Sequence, residues 1–103
     1  MLNIRVIPNA NIYSLRANGR EYVVGSATYL DLPLADGGAV QNDQAQRIGF
    51  VGSTADRPTN VPGDPNFMPQ VPPQMIDTTL GIVIYSTPNT FPVTWTDSTG
   101  IAA

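Results

Sequence analysis

The first residues of the chain alternate between apolar and polar side chains in the manner of a β-strand. Within residues 2–8, the polar residues Asn3 and Arg5 alternate with three apolar ones, Leu2, Ile4 and Val6. A period of two residues with β-branched side chains predicts a strand that buries one face. Pro8 and the asparagines that follow it predict a turn at the end of this strand.

Two runs of β-prone residues, 12–17 and 20–24, flank the dipeptide Asn18-Gly19. Asparagine and glycine both tolerate a positive φ, which the two central positions of the commonest hairpin turn require. The sequence therefore predicts a β-hairpin here. Residues 28–32 predict a further short strand, which ends at a proline.

Residues 34–47 are mostly polar and form the one stretch in which we predict a helix. We expect Asp36 to cap this helix and Gly49 to end it, and we expect Val40 to be one of its buried residues. Gly37 and Gly38 each cost about 1 kcal/mol of helix stability, so a helix of at most about three turns is predicted. A short apolar run, residues 48–51, follows.

Residues 52–73 contain six prolines and four larger apolar residues, Val61, Phe67, Met68 and Val71. Such a composition predicts an irregular segment, either a flexible linker or a proline-stiffened stretch that packs on its own domain or on a neighbour. Adjacent Phe67 and Met68 favour packing, because a solvated linker does not need an exposed aromatic–methionine pair.

The last part of the chain predicts a β-hairpin formed by residues 75–85 and 93–99, with a turn at residues 87–92 and a tail from residue 100. Both faces of residues 82–85 are apolar, which is typical of a strand that is covered on both sides. Trp95 is the only tryptophan and is expected to anchor the core or an interface.

These patterns predict a mostly β protein: a small β-rich domain of hairpins, or a small sandwich or barrel, with one short helix and long proline-rich irregular segments. A length of 103 residues predicts one small domain, and an apolar fraction of 42% argues against disorder. Residues 1–51 and 52–103 differ in proline content, so they are either two subdomains or parts of one compact domain.

The composition excludes several kinds of chemistry. The chain contains no cysteine and no histidine, so disulfides, thiolate chemistry, Cys/His zinc sites and histidine acid–base catalysis are excluded. The net charge is −3 and the five arginines are dispersed, which argues against nucleic-acid binding. We therefore predict no catalytic residue, no metal site, no cofactor and no enzymatic activity.

The carboxylates need separate consideration. Asp77 and Asp97 are candidates for a facing acid–base pair across the last hairpin, but their Asp-Thr-Thr and Asp-Ser-Thr contexts favour side chains that hold turns. Asp56-Arg57 predicts a local ion pair or a cap, with the arginine holding a carbonyl or a carboxylate. No apolar run is long enough to span a membrane, and the first residues, Met-Leu-Asn-Ile-Arg, lack the basic region and apolar run of a signal peptide, so we expect a soluble protein.

Three segments of the second half resemble a short module of virion proteins from tailed bacteriophages. Their sequences are Gly-Ser-Thr-Ala-Asp-Arg-Pro (52–58), Ile-Asp-Thr-Thr-Leu-Gly-Ile-Val-Ile-Tyr (76–85) and Thr-Trp-Thr-Asp-Ser-Thr-Gly (94–100). In the phage module they read Gly-Thr-Thr-Ala-x-Arg-Pro, Phe-Asp-Thr-Thr-Leu-Gly-Lys-Pro-Ile and Trp-Val-Asp-Ala-Thr-Gly. Here Ile82-Val83 stands where the module has Lys-Pro, and Ile76 where it has Phe. Residues 29–33 and 48–51 are similar to segments of small phage head proteins.

The resemblance implies a structural virion protein, either a capsid decoration (cement) protein or a head-fibre protein. Such a protein binds the outer surface of the major capsid protein and stabilises the head. The expected form is a homo-oligomer, with a trimer favoured, made in the cytoplasm of the bacterial host and located on the capsid surface, without nucleic-acid or membrane partners. The alternatives are a tail-fibre or baseplate-associated module that binds a host-surface glycan, and a protein that acts only during assembly.

Two segments are expected to contact a neighbouring protein. Residues 2–8 are candidates for strand addition to a neighbouring sheet, and Phe67-Met68 for an apolar anchor. The candidate interface residues are Leu2, Ile4, Val6, Phe67, Met68 and Trp95.

Overall fold

The computed structural model describes residues 1–59, 63, 67–86 and 93–103, and its largest element is a six-stranded mixed β-sheet. In spatial order the strands are β4 (Leu30–Pro33), β1 (Asn3–Pro8), β5 (Ala45–Gly52), β6 (Gln74–Asp77), β7 (Ile82–Ser86) and β8 (Trp95–Thr96). Neighbouring strands are antiparallel except β5 and β6, which are parallel. The predicted β-rich fold with one short helix is confirmed.

A separate two-stranded sheet is formed by β2 (Ser14–Ala17) and β3 (Arg20–Val23). Asn18 and Gly19 connect the two strands with φ angles of 52° and 76°. The Asn-Gly turn therefore adopts the left-handed conformation that its two residues tolerate, and the predicted hairpin is confirmed.

One face of the six-stranded sheet, called here the inner face, bears the hydrophobic core. A row of five side chains crosses five strands in register: Leu32, Ile4, Phe50, Met75 and Ile84. Each of them is at most 4% exposed. Hairpin β2–β3 adds Leu15 and Ala17 to the same core cluster.

The helix α1 (Leu34–Ala39) lies against β1 on the inner face. A Cβ atom at Gly37 would stand 2.6 Å from Cβ of Ile4, so the glycine lets the helix backbone approach the strand closely. The helix has 6 residues, within the predicted length, but Gly49 does not end it, because Gly49 belongs to β5 and pairs with Arg5 of β1. Val40 is buried as predicted, but Asp36 lies in the first turn and does not cap the helix.

The described part of the proline-rich segment packs on its own domain. Val71 is 5% exposed, and Met68 contacts the core cluster. The Met68 sulfur also lies over α1, 3.3 Å from where a Cβ of Gly38 would be. Since β5 ends at Gly52 and pairs with β6, residues 1–51 and 52–103 share one sheet.

The C-terminal hairpin differs from the prediction in its pairing. β6 and β7 form a hairpin with each other across residues 78–81, and the two-residue β8 pairs with β7. The prediction that residues 82–85 are covered on both sides is wrong, since only Ile84 is buried. The short β8 leaves the rest of β7 close to the edge of the sheet. The predicted turn at residues 87–92 lies outside the described residues.

Candidate functional site

Two charged side chains are buried in the described part of the chain, Asp77 and Asp36, with exposures of 0% and 4%. A buried carboxylate is stable only when partners replace the water that it has lost. The partners of each therefore decide whether it is a reactive group or a structural one.

Asp77 is surrounded by donors on every side. Arg57 donates from Nε and Nη2 at 3.0 and 2.8 Å, and the Thr54 hydroxyl lies 2.8 Å from Oδ2. The backbone amides of Thr79 and Leu80 both donate to Oδ1 at 3.0 Å. The carboxylate thereby connects the segment after β5 with the β6–β7 turn, and no oxygen atom is left for a substrate.

The ionisation of Asp77 follows from these contacts. Burial alone would raise the pKa of its carboxyl group, but the hydrogen bonds from Arg57, from the Leu80 amide and from Thr54 outweigh burial and hold the pKa below its ordinary value. The carboxylate is therefore charged at neutral pH and tightly bound, the opposite of a general acid with a raised pKa.

Asp97 holds a turn of its own. Its Oδ1 accepts hydrogen bonds from the hydroxyl and the amide of Thr99 at 2.6 and 2.8 Å and from the amide of Ile101 at 3.1 Å. These bonds lower the pKa of the Asp97 carboxyl group, with the Thr99 hydroxyl as the largest cause. Asp77 and Asp97 are thus turn-binding side chains, as the sequence context favoured.

The Asp56-Arg57 dipeptide forms the predicted cap, but the ion pair of Arg57 is with Asp77 and is not local. Asp56 and Ser53 form a capping box on the short 3₁₀ helix η1 (Thr54–Asp56). Arg57 pairs with the carboxylate of Asp77 and donates from Nη1 to the backbone oxygen of Ala103 at 2.9 Å. The polar residues of the motif that resembles the phage module therefore stabilise the fold.

Asp36 belongs to a second cluster, between α1 and hairpin β2–β3. It accepts hydrogen bonds from the Tyr22 hydroxyl and from Nδ2 of Asn18, the latter at 3.0 Å, and Nη1 of Arg20 lies 3.5 Å away. The Tyr22 and Asn18 bonds lower the pKa of the Asp36 carboxyl group. This cluster fastens the hairpin to the helix.

The predicted contact role of residues 2–8 needs correction. Leu2, Ile4 and Val6 are 6%, 0% and 0% exposed and belong to the core. β1 also has a hydrogen-bonded strand on each side, β4 and β5, so it has no free edge for strand addition.

The other interface candidates are at least partly covered by their own domain. Trp95 is 7% exposed, and its Nε1 donates to the Pro58 carbonyl oxygen at 3.1 Å, so it is a core anchor. Phe67 and Met68 are half-buried. The structure brings none of these three into a common exposed surface with residues 2–6.

An apolar surface at the β6–β7 hairpin was not among the predicted contact residues. It consists of Leu80, Ile82, Val83 and Tyr85, with exposures of 48%, 41%, 40% and 40%, and is called here the β7 patch. Ile82 has the strand parity of buried Ile84, and Val83 and Tyr85 lie on the opposite face. The sequence does contain a signal for it. Apolar residues occupy both parities of residues 82–85, a pattern that also fits a strand covered on both sides.

A depression of about 120 Å³ adjoins the β7 patch on the face opposite the core. Val83 and Ile76 form one wall and Ile48 and Gly49 belong to the lining contributed by β5. β5 contains a bulge at Ile48. This residue lies between Gly49 and the preceding residue, which both pair with β1, and has no pairing partner in β1 itself. At Gly49, φ is 153° and a Cβ would stand 2.7 Å from the Gln74 carbonyl oxygen, so β6 can approach β5 closely only because this residue is glycine.

Arg5 lies at the rim of this depression, where its charge is already compensated. Its Nε and Nη2 donate to Asp31 at 2.8 and 3.0 Å, and its guanidinium stacks over the Tyr29 ring at 3.9 Å. The hydrogen bonds to Asp31 are the main reason that the pKa of Arg5 is raised. The depression and the β7 patch together therefore offer an apolar surface suited to an apolar partner.

Two further observations concern the described ranges, 1–59, 63, 67–86 and 93–103. No group of three or more carboxylates within them is arranged to hold a metal ion. No helix there has the length and apolar character needed to cross a membrane.

Comparison with known proteins gives no match: no family model, curated protein or solved structure is similar to this chain. The resemblance to phage virion proteins therefore stays a prediction from the sequence motif.

Proposed function

We propose that this chain is a structural virion protein of a tailed bacteriophage, a capsid decoration or head-fibre protein that binds the outer surface of the major capsid protein through the β7 patch. It stabilises the head by adding contacts between neighbouring capsid subunits and is not an enzyme. The expected assembly is a homo-oligomer, with a trimer favoured.

The observation that supports this proposal most strongly is the β7 patch itself. Four large apolar side chains, each at least 40% exposed, follow one another along a single hairpin. Val83 and Tyr85 lie on the face that holds the depression. Apolar surface gains about 25 cal/mol per Å² when a partner removes it from water, and exposed apolar surface of this kind marks interaction sites. A protein-binding role accounts for this surface.

The motif that resembles the phage module supplies the frame for the patch. Asp77 binds the amides of Thr79 and Leu80, so the turn that presents Leu80 is fixed from inside the domain. A surface that is already ordered loses little conformational entropy when it docks. The resemblance and the patch thus point to the same hairpin as the docking element.

The head rather than the tail is proposed because the second resemblance, at residues 29–33 and 48–51, is to small phage head proteins. The composition is consistent with a virion protein that gains stability from contacts with its neighbours. The chain has 13% charged residues and no cysteine for disulfides, and its length of 103 residues limits the size of its own core. The glycan-binding alternative would favour exposed aromatic residues gathered at one polar site. The β7 patch contains a single aromatic side chain, Tyr85.

The proposal is tested with phage particles that lack the protein and are supplied with purified variants. Val83→Glu introduces a charge into the β7 patch, and Val23→Glu does the same at a residue that is 55% exposed on the separate hairpin sheet. We expect electron microscopy to show the wild-type protein and the Val23→Glu variant bound to the heads. The Val83→Glu variant should be absent from the heads.

Three outcomes would overturn the proposal. One is binding of Val83→Glu to heads as well as wild type. Another is an unchanged shell with an altered tail in particles without the protein. The third is adsorption of the purified chain to host cells but not to heads, which would favour the glycan-binding alternative.

A further inference from the structure

Asn18 occupies an unusual chemical position in the chain. It is the only one of the eight asparagines that is followed by glycine. Glycine has no side chain to shield its backbone nitrogen, so an Asn-Gly sequence is the one in which that nitrogen reaches the preceding side-chain carbonyl most readily. Asn18 is also exposed, at the tip of hairpin β2–β3.

The side-chain amide of Asn18 holds the hairpin to the helix. Its Nδ2 donates to the backbone oxygen of Ala35 at 3.3 Å and to Oδ1 of Asp36 at 3.0 Å. Both acceptors belong to α1. Both N–H groups of the amide donate hydrogen bonds, and one of these bonds stabilises the carboxylate of Asp36, which is 4% exposed.

We propose that Asn18 is a site of spontaneous deamidation, and that conversion of its amide to a carboxylate irreversibly releases hairpin β2–β3 from helix α1. The proposal concerns a modification of the hairpin and does not depend on the proposed function of the β7 patch.

The reaction needs only water. The backbone nitrogen of Gly19 attacks Cγ of Asn18 and loses its proton, a new C–N bond forms, and the bond between Cγ and Nδ2 breaks with release of ammonia. The product is a cyclic imide. Water then adds to either carbonyl carbon of the imide and opens the ring. One opening gives aspartate, and the other gives isoaspartate, in which the main chain runs through the former side chain.

Both products damage the contact with α1. A carboxylate at residue 18 has no N–H to donate, and it places a negative charge where an amide now lies 3.0 Å from an oxygen of Asp36. A buried carboxylate that loses a donor and gains a like charge is strongly disfavoured. Isoaspartate also adds a methylene to the backbone of a two-residue turn, whose length sets the strand register.

The contact with α1 also controls when the reaction occurs. In the closed hairpin the leaving nitrogen is held by two acceptors, and residue 18 is fixed at a φ of 52°. Ring closure requires the side chain to turn towards the Gly19 nitrogen, so it proceeds when the hairpin opens. Asp36→Ala removes this acceptor without creating a second Asn-Gly sequence before Gly37, and is expected to accelerate deamidation at Asn18.

The test uses the full chain, incubated in mildly alkaline buffer and sampled over time. Trypsin cleaves after Arg16 and Arg20, which releases residues 17–20 as a peptide with Asn18 as its only asparagine. Mass spectrometry then measures the amide-to-acid conversion at this site, with Asn9 and Asn11 as internal references. We expect Asn18 to convert well before the references, and faster still in Asp36→Ala.

The structural consequence is measured on the same samples. Hydrogen exchange is expected to show loss of amide protection in hairpin β2–β3 as the acid accumulates, together with a fall in melting temperature. Asn18→Asp should reproduce both changes without incubation. Asn18→Gly, which keeps a residue that tolerates positive φ but has no amide, should show no change over time.

Two results would overturn the proposal. The first is conversion of Asn18 no faster than that of Asn9 and Asn11. The second is retention of hairpin protection and melting temperature in fully converted protein and in Asn18→Asp.

Discussion

Arg57 reaches the fully buried carboxylate of Asp77 with two nitrogens, at 3.0 and 2.8 Å, and thereby joins parts of the chain that are twenty residues apart. Arg57 follows the 3₁₀ helix after β5, and Asp77 ends β6. Because Asp77 also binds the amides of the following turn, the pair fixes the base of the β6–β7 hairpin. The geometry of the β7 patch therefore depends on a contact in the interior.

Replacement of Asp77 by asparagine is expected to destabilise the protein by about 3 kcal/mol, because it leaves the Arg57 guanidinium partly buried without a counter-charge. The Arg57 side chain is only 16% exposed. Urea unfolding measures the change. Asp97→Asn serves as the control, since asparagine supports the same kind of turn at a site that is only half-buried. A loss of stability in Asp97→Asn equal to that in Asp77→Asn would contradict this account.

Acid is expected to weaken the fold through the same carboxylates. The pKa values of Asp36 and Asp97 are lowered by hydrogen bonds from Tyr22 and Thr99, and that of Asp77 is lowered despite burial. A carboxyl group with a lowered folded-state pKa stabilises the fold fully above its unfolded value, here 3.8, and this contribution is lost as the pH falls through the folded-state value.

The free energy of unfolding should accordingly be nearly constant around neutral pH and decrease as the pH falls below about 4. Urea titrations at a series of pH values check this. The slope on the acid side should be shallower in Asp77→Asn, because one of the linked groups has been removed. A stability that rises towards acid pH would contradict the lowered pKa values.

The two adjacent glycines of α1 should respond oppositely to alanine. At Gly37 a Cβ would lie 2.6 Å from Cβ of Ile4, an atom fixed in the centre of β1. Overpacking costs about 1–3 kcal/mol and exceeds the gain in helix propensity of about 1 kcal/mol, so we expect Gly37→Ala to destabilise the protein.

Gly38→Ala is the matched control. The atoms nearest its new Cβ would be Nε2 of Gln70 and Sδ of Met68, at 3.1 and 3.3 Å, and both are ends of flexible side chains. They can move aside, so the variant should gain up to about 1 kcal/mol from helix propensity. Thermal unfolding of the two variants gives the comparison, and equal effects would show that close packing of α1 on β1 is not the cause.

Much of the fold could be predicted from local pattern because its causes are local. The alternation of Leu2, Ile4 and Val6 and the Asn18-Gly19 turn determine β1 and the hairpin directly. The end of the helix was predicted at Gly49, but residues 45–49 belong to β5 and lie beside β1. A pairing partner forty residues away in sequence leaves no trace in the local pattern.

The candidate site was harder to predict for a related reason. Apolar alternation in β1 marks a strand but does not show whether its edges are free, and here both are paired. Whether another part of the fold covers the side chains of Val83 and Tyr85 is a matter of tertiary structure. The roles of Asp77 and Asp97 could be predicted, because turn binding involves residues two to four positions away.

The measurement that tests the docking surface most directly is hydrogen exchange of the protein bound to phage heads compared with the free protein. We predict new protection of backbone amides in β7 and in the turn before it, with no change in hairpin β2–β3. Protection confined to hairpin β2–β3 or to the outer strand β4, with β7 exchanging as in the free protein, would contradict the central claim.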